Sequence, residues 1–434
     1  MKKEWIMLLV SVVMLATACS SSDEPENSQT EEPAKGQTDN PSKPVVVVPK
    51  TRVDVSLTAE GSRINDAANQ FSLSFFEQVM KQQDASSNIV ISPFSAQVAL
   101  AMAANGAQGG TLDEMLTALN MKGSSLDDIN KYNQTIIKAI TDIDNTTFTT
   151  SANGIWSKLN LLDAFSSRVR KVYDARVETT DFSPKAIASI NDWTNEQTHG
   201  IIPRLFDEDE KVSNDVMLIL ANTLYFYGVW AEPFSPGLTV KNVFTSADKS
   251  VSSIDMMKEG GDKNYLSCKT FDLCEKPYGN EAFSMVFLLP HQDVTLNACI
   301  NDLAQMDWKG LTTSLSNNYK LVRLTVPKFE LKEMKYDLIA PLKGMGIQKA
   351  FTQQADFRNM TDETDLFISK VDQKTAITLH EQGTQVAAVT KVEKPSTAYK
   401  PPQPIEFTLD RPFAFLIKEK STGVILFAGA INKL

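Results

Sequence analysis

Small or β-branched residues occupy every second position from Thr384 onward: Thr384, Val386, Ala388, Thr390 and Val392 on one face, Gln385, Ala387, Val389, Lys391 and Glu393 on the other. A period of two with one such face predicts a half-buried strand. It runs directly into Lys394-Pro395-Ser396-Thr397-Ala398-Tyr399-Lys400-Pro401-Pro402, a proline-bounded loop with no apolar side to pack. The segment reads as a strand that lacks a sheet, tied to an exposed loop.

Elsewhere the period is helical or the apolar run continuous. Ile64, Ala68, Phe71, Phe75 and Val79 predict a first helix with one packed face. Asn88 to Ile91 reads as a strand that passes straight into a helix, because Ser92 suits an N-cap and Pro93 the first helical position. That helix ends at Asn105–Gly110, and Thr111-Leu112-Asp113-Glu114 has the form of a capping box that starts the next. Ser183-Pro184 opens another helix, carrying Ile187, Ile190 and Trp193. Val216 to Phe226 is almost unbroken apolar sequence, as a strand buried on both faces requires. Asn222 lies within it, and a buried amide needs partners. A helix is predicted over Tyr336–Met345. Thr375, Ile377 and Leu379 alternate with Ala376, Thr378 and His380 as a strand leading to Glu381, and Gly423–Ala430 is a strand near the end of the chain.

The N-terminus has a different composition. Lys2 and Lys3 precede an apolar run, Trp5–Leu15, that is shorter than the ~20 residues of a membrane span and reads as a signal-peptide core. Ala16-Thr17-Ala18-Cys19 resembles a lipoprotein cleavage box with Cys19 as lipid acceptor. This divides the chain into a signal peptide (1–18), a lipidated disordered tether (19–50) and one large domain (51–434). It also implies a bacterial cell envelope, with the membrane reached through the anchor. The acidic Ser20–Glu24 resembles surface-export tags, so the outer membrane is the expected site. Val45–Val48 reads as a short strand without a partner.

A net charge of −10 without a Lys/Arg cluster argues against nucleic-acid binding. Cys19, Cys268, Cys274 and Cys299 do not have zinc-site spacing, although a disulfide across the turn between Cys268 and Cys274 is conceivable. His199, His291 and His380 are scattered, and there is no Gly-x-Ser-x-Gly. No metal, cofactor or catalytic residue is assigned.

Glu381-x-Gly383-Thr384 followed by small residues resembles the hinge of the serpin family. Asn88–Ser95 leading to Gly106-Ala107-x-Gly109, Asn191-Asp192-Trp193 with Thr198–Ile202, and the Trp230/Phe234 segment GVWAEPF are similar to serpin segments in the same order. The resemblance covers about Ile64 to Leu434. It implies an α+β serpin fold: three β-sheets, eight or nine helices, and an exposed reactive loop at 381–404, in a monomer that is not an enzyme. Asp255–Met257 and Phe283–Pro290 would be strands of a second sheet.

By the same resemblance Glu381, Gly383, Thr384, Val386, Ala387 and Ala388 form the hinge, and Lys328 pairs with Glu381. Trp230 and Phe234 stand where the loop enters the main sheet. Asn222 bonds to Ser92 where the sheet opens, beside Ser95 and Gln373; serpins carry a histidine at the last position. In serpins a protease attacks the loop, is held as a covalent acyl-enzyme, and is carried along as the cut loop joins the sheet. Counting from Glu381 puts the reactive bond at Thr397–Ala398, flanked by Pro395, Ser396, Tyr399 and Lys400, whereas counting back from Pro412 differs by four residues. Lys394 and Lys400 both precede proline, which disfavours trypsin-like enzymes. Thr397 and Ala398 suit the small pocket of an elastase, and Tyr399 a chymotrypsin-like or papain-like pocket. The expectation is a suicide-substrate inhibitor of elastase-like serine proteases, with cysteine proteases as secondary targets. The alternative is a non-inhibitory carrier.

Overall fold

The computed structural model describes residues 49–434 other than 208–209, 211, 214, 364–365 and 385–402. The signal peptide, Cys19, Val45–Val48 and the loop positions Val386, Ala387, Ala388 and Pro395–Lys400 lie outside the described residues. Lys50, expected at the end of the tether, is held on the domain: its amide donates to Asn145 Oδ1 at 2.7 Å and its ammonium to the Asp142 carbonyl at 2.8 Å.

The described residues form nine α-helices and fourteen strands. A central sheet has the order β10 (Phe329–Asp337), β11 (Lys370–Leu379), β4 (Leu218–Gly228), β2 (Thr147–Ser157), β3 (Arg176–Thr179). A second contains β1 (Ile89–Ile91), β14 (Ile425–Ile431), β13 (Phe413–Glu419), β8 (Phe283–Pro290), β7 (Phe271–Tyr278) and the end of β6 (Val251–Ser267). The third pairs the rest of β6 with β5 (Val240–Thr245) and β9 (Tyr319–Pro327), and β12 (Ile405–Thr408) with β9. The expected three sheets are therefore present, and the 17-residue β6 belongs to two of them.

Helices α1 (Ala59–Gln82), α7 (Leu296–Ala304) and α8 (Trp308–Ser316) pack together, and α2 (Pro93–Ala104) contacts both β14 and β4. Every residue of α2 is buried, and its sequence is apolar around almost the whole circumference, as such a position demands. Ser92 caps it, accepting from Ser95 N at 3.1 Å. Helices α4 (Leu126–Asp142) and α5 (Asp163–Tyr173) pack on each other, and α9 (Ile339–Gly344) lies against α1. Helix α6 (Pro184–Gln197) covers the other face of the central sheet: Trp193 meets Trp156 edge-on at 5.0 Å, with Ile190 and Phe206 beside them. Thus β4 is buried on both faces, Leu218 and Leu220 toward the main core, Ile219 and Ala221 toward α6.

Three expectations are corrected. Helix α3 (Gly109–Ala118) starts two residues before the proposed capping box. Thr111 instead accepts from Asp356 N, and Glu114 caps another segment by accepting from Gln348 N and Lys349 N. Tyr336 belongs to β10, where its hydroxyl accepts from Val90 N, and the helix begins only at Ile339. Cys268 and Cys274 are both free, because the β6–β7 register sets Cys274 opposite Tyr265.

Candidate functional site

Strands β11 and β4, at the centre of the sheet, run parallel, while each is antiparallel to its outer neighbour. Their ladder is short: Lys370, Val371 and Asp372 face Ile219, Leu220 and Ala221. Among the described residues, no ladder pairing joins the rest of β11 to β4. A strand running the opposite way would be antiparallel to both, the slightly more stable pairing.

The chain beyond β11 has begun such a strand. His380 and Gly383 exchange backbone hydrogen bonds of 3.0 and 3.1 Å, which closes a two-residue hairpin turn over Glu381-Gln382. Gly383 also bridges to Val229, and Thr384 N donates to the Gly228 carbonyl at 2.7 Å. Gly383 has φ +140°, and a Cβ there would lie 2.0 Å from the Gly228 oxygen, so only glycine fits. A strand continued from this bridge in register with both neighbours would bring its eighth residue after Gly383 between Asp372 and Ala221, which already face each other. The two neighbours therefore agree on one register.

Backbone and side-chain groups together hold the turn. Trp230 N donates to the Gln382 carbonyl and Phe234 N to that of Glu381, each at 2.9 Å. The Trp230 indole donates to the His380 carbonyl at 3.1 Å and stacks on Tyr278 at 4.2 Å, with Phe234 edge-on at 6.2 Å. The hydroxyls of Tyr278 and Thr384 are hydrogen-bonded at 2.9 Å. Lys328 pairs with Glu381 at 2.9 Å, and Thr239 donates to the same carboxylate. Burial works to raise the Glu381 carboxyl, but the Lys328 ammonium and the Thr239 hydroxyl outweigh it and hold it below its ordinary range. Burial pushes the His380 imidazole down, so it stays neutral at pH 7 and accepts at Nδ1 from Gln382 N.

At the lower end the expected Asn222–Ser92 contact is replaced. Gln373 clamps the Ser92 backbone, accepting from its N–H at 2.8 Å and donating to its carbonyl at 2.9 Å. The Ser92 hydroxyl is used twice already, donating to the Leu426 carbonyl and capping α2. Asn222 instead donates to Asn153, and its Oδ1 has no hydrogen-bond partner, nor has Ser95 Oγ. On the α6 side, the segment between α6 and β4 is pinned across β11 and β10. Asp207 meets Lys374 at 2.8 Å; Glu210 meets Lys370 at 2.7 Å and also Lys335; Lys370 reaches Asp372 at 3.3 Å.

The structure thus brings Glu381, Gly383, Thr384, Trp230, Phe234 and Lys328 together at one end of the β11–β4 pair, and Ser92, Ser95, Asn222 and Gln373 toward the other. Sequence reasoning missed Tyr278, Thr239, Asn153, Asp207 and Glu210. His380, immediately before the hinge glutamate, was the one local signal available.

A family model described as serpin (serine protease inhibitor) matches residues 66–434. The chain is 30% identical over 400 residues to iripin-1 of Ixodes ricinus, covering 89% of this chain and 99% of that protein. It is 32% identical over 392 residues to a leukocyte elastase inhibitor of Bos taurus, covering 85% and 99%. The crystal structure of the thermophilic serpin tengpin in its native state is similar with a TM-score of 0.78 at 28% identity, covering 89% of this chain and 98% of that one.

Proposed function

Because the chain belongs to the serpin (serine protease inhibitor) family, we propose that it is a suicide-substrate inhibitor of elastase-like serine proteases, with cysteine proteases as secondary targets. The protease's serine hydroxyl attacks the Thr397 carbonyl, the bond to Ala398 breaks, and the new amine leaves with a proton from the protease. Thr397 remains esterified to the enzyme. The freed segment then zips into the cleft between β11 and β4 and carries the protease with it before water reaches the ester.

The observation that carries this reading is the bridged hinge: Thr384 already lies between the two strands, hydrogen-bonded to Gly228. Continued in that register, Thr384, Val386, Ala388, Thr390 and Val392 face the main core, and Lys394 arrives opposite Leu218, the first residue of β4. The first proline of the loop, Pro395, follows where no ladder hydrogen bond is needed. The small residues at Thr397 and Ala398 support an elastase-like target, as does the relative named leukocyte elastase inhibitor. Cys19 would tether the domain to the bacterial envelope by a coil reaching roughly 30 Å.

The test is to mix the soluble domain with an elastase and run a denaturing gel. A band at the combined mass is expected, and mass spectrometry of the released C-terminal peptide should begin it at Ala398. Thr397→Arg and Ala398→Pro should each abolish elastase trapping; unimpaired inhibition by both would overturn the bond assignment. Loop cleavage with no such band and no gain in stability would replace inhibition with the carrier reading.

A further inference from the structure

Beneath the aromatic pair that holds the hinge lies a buried ammonium with no place in the steps above. Lys276, on β7, is 1% exposed. Its Nζ donates to Glu259 at 2.6 Å and to the Glu232 carbonyl at 2.8 Å. It stands 4.2 Å from the Phe234 ring centroid and 5.2 Å from that of Trp230. Glu259 also pairs with Lys263 at 2.9 Å. The groups facing Lys276 are therefore Glu259 and Lys263 from β6, Glu232 from the turn after β4, and Cys274 on its own strand. Burying such a cluster costs more desolvation than filling the space with apolar side chains. What the charge adds here is a fixed arrangement: one cation binds a carboxylate, a carbonyl and two aromatic faces at once.

We propose that Lys276 is a positioning residue for the hinge: by holding Glu259 and both rings together it fixes the Trp230 and Phe234 backbone donors that grip the Gln382 and Glu381 carbonyls, and so sets how fast the strand from Thr384 inserts. The proposal rests on the loop-insertion reading. Burial pushes the Lys276 ammonium down to about 8, against the attraction of Glu259. Above that pH the neutral amine still donates to Glu232, but its hold on the rings and on Glu259 weakens. Insertion should therefore quicken as pH rises through about 8.

The experiment needs no protease. A synthetic peptide of the Thr384–Lys394 sequence is offered to the intact protein, and uptake is followed by native gel and tryptophan fluorescence. The wild-type rate is expected to rise about tenfold between roughly pH 7 and pH 9.5. Lys276→Met should already be faster at neutral pH by the same factor, with a flat profile. A Lys276→Met protein with the wild-type rate and profile would overturn the proposal. Should that variant not fold, the wild-type profile decides alone, and a flat one overturns it. A wild type that takes up no peptide and gains no stability on loop cleavage would overturn the insertion reading, and this proposal with it.

Discussion

Asn222 carries a buried carbonyl oxygen without a hydrogen-bond partner, and such an atom is expensive to leave unpaired. In a strand inserted in the register set by Thr384 and Gly228, Thr390 would arrive between Asn222 and Gln373 on the core face, with a hydroxyl able to donate to that oxygen. Thr390→Val keeps the shape and removes the donor. The intact protein should melt as before, while the loop-cleaved form should lose about 1 kcal/mol, seen as a smaller gap between the two melting temperatures; an unchanged gap would argue against this register. A second residue contributes to stability in acid. Burial would raise the Glu275 carboxyl, but Lys418 at 2.9 Å, Lys420, Ser284 and Asn264 outweigh it and bring it down to about 2. A carboxyl depressed below its unfolded value of about 4.3 stabilises the fold fully above that pH and loses this as pH falls toward 2. The loss is roughly 3 kcal/mol, and Glu275→Gln should flatten the acid limb of denaturant stability measured from pH 5 to about 2.

Strand β11 has two working faces. Gln373, Thr375, Ile377 and Leu379 face the core, while Lys370, Asp372 and Lys374 lie on the face where Asp207 and Glu210 pair with Lys374 and Lys370. The outward loop charges meet the second face. On insertion in this register Lys391 would arrive beside Asp372 and Glu393 beside Lys370, so that Glu393 would replace Glu210 as the partner of Lys370. Lys391→Glu should put like charges together and divert about two- to fivefold more loop to cleavage without trapping, measured as moles of inhibitor consumed per mole of protease trapped; Lys391→Ser should divert less. Equal effects of the two would mean the pairing contributes nothing. The elements behind this were legible where the signal is local: the Ser92-Pro93 helix start, the β4 run, and the alternation into Glu381. What needed coordinates was set by contacts distant in sequence. Glu114 caps a segment 235 residues away, which no four-residue motif reveals. Asn153 accepts from the Asn222 amide from a neighbouring strand 69 residues earlier. The hinge turn also depends on Tyr278, whose role a local aromatic pattern cannot distinguish from core packing. The 17-residue β6 passes from β9 to β7 between Asn264 and Tyr265, a change of partner set by strands distant in sequence.

At the scale of the whole molecule, the central sheet holds more capacity than it uses. Its middle pair is parallel and registered over three residues, whereas β4 offers eleven. The chain carries the sequence that would fill the difference, with no proline from Glu381 to Lys394. The fold is consistent with a resting state kept from a more stable one by loop connectivity, because the far end of the loop is fixed where β12 pairs with β9. On the proposed mechanism, cutting the loop at any bond near Thr397 would remove that restraint. Insertion would then exchange a short parallel ladder for two long antiparallel ones and would bury Val386 and Val392, each worth roughly 1.5–3 kcal/mol. At about 2–4 °C per kcal/mol for a large domain, the melting temperature should rise on the order of 10 °C after cleavage by a protease too slow to be trapped. The same rise should follow peptide uptake without cleavage, because the strand rather than the cut supplies the stability. Gly383→Val separates the causes: its side chain would collide with the Gly228 carbonyl, so the loop should still be cut but the melting temperature should stay near that of the intact protein. A cleaved Gly383→Val protein as stable as the cleaved wild type would show that the gain does not come from a strand entering beside Gly228.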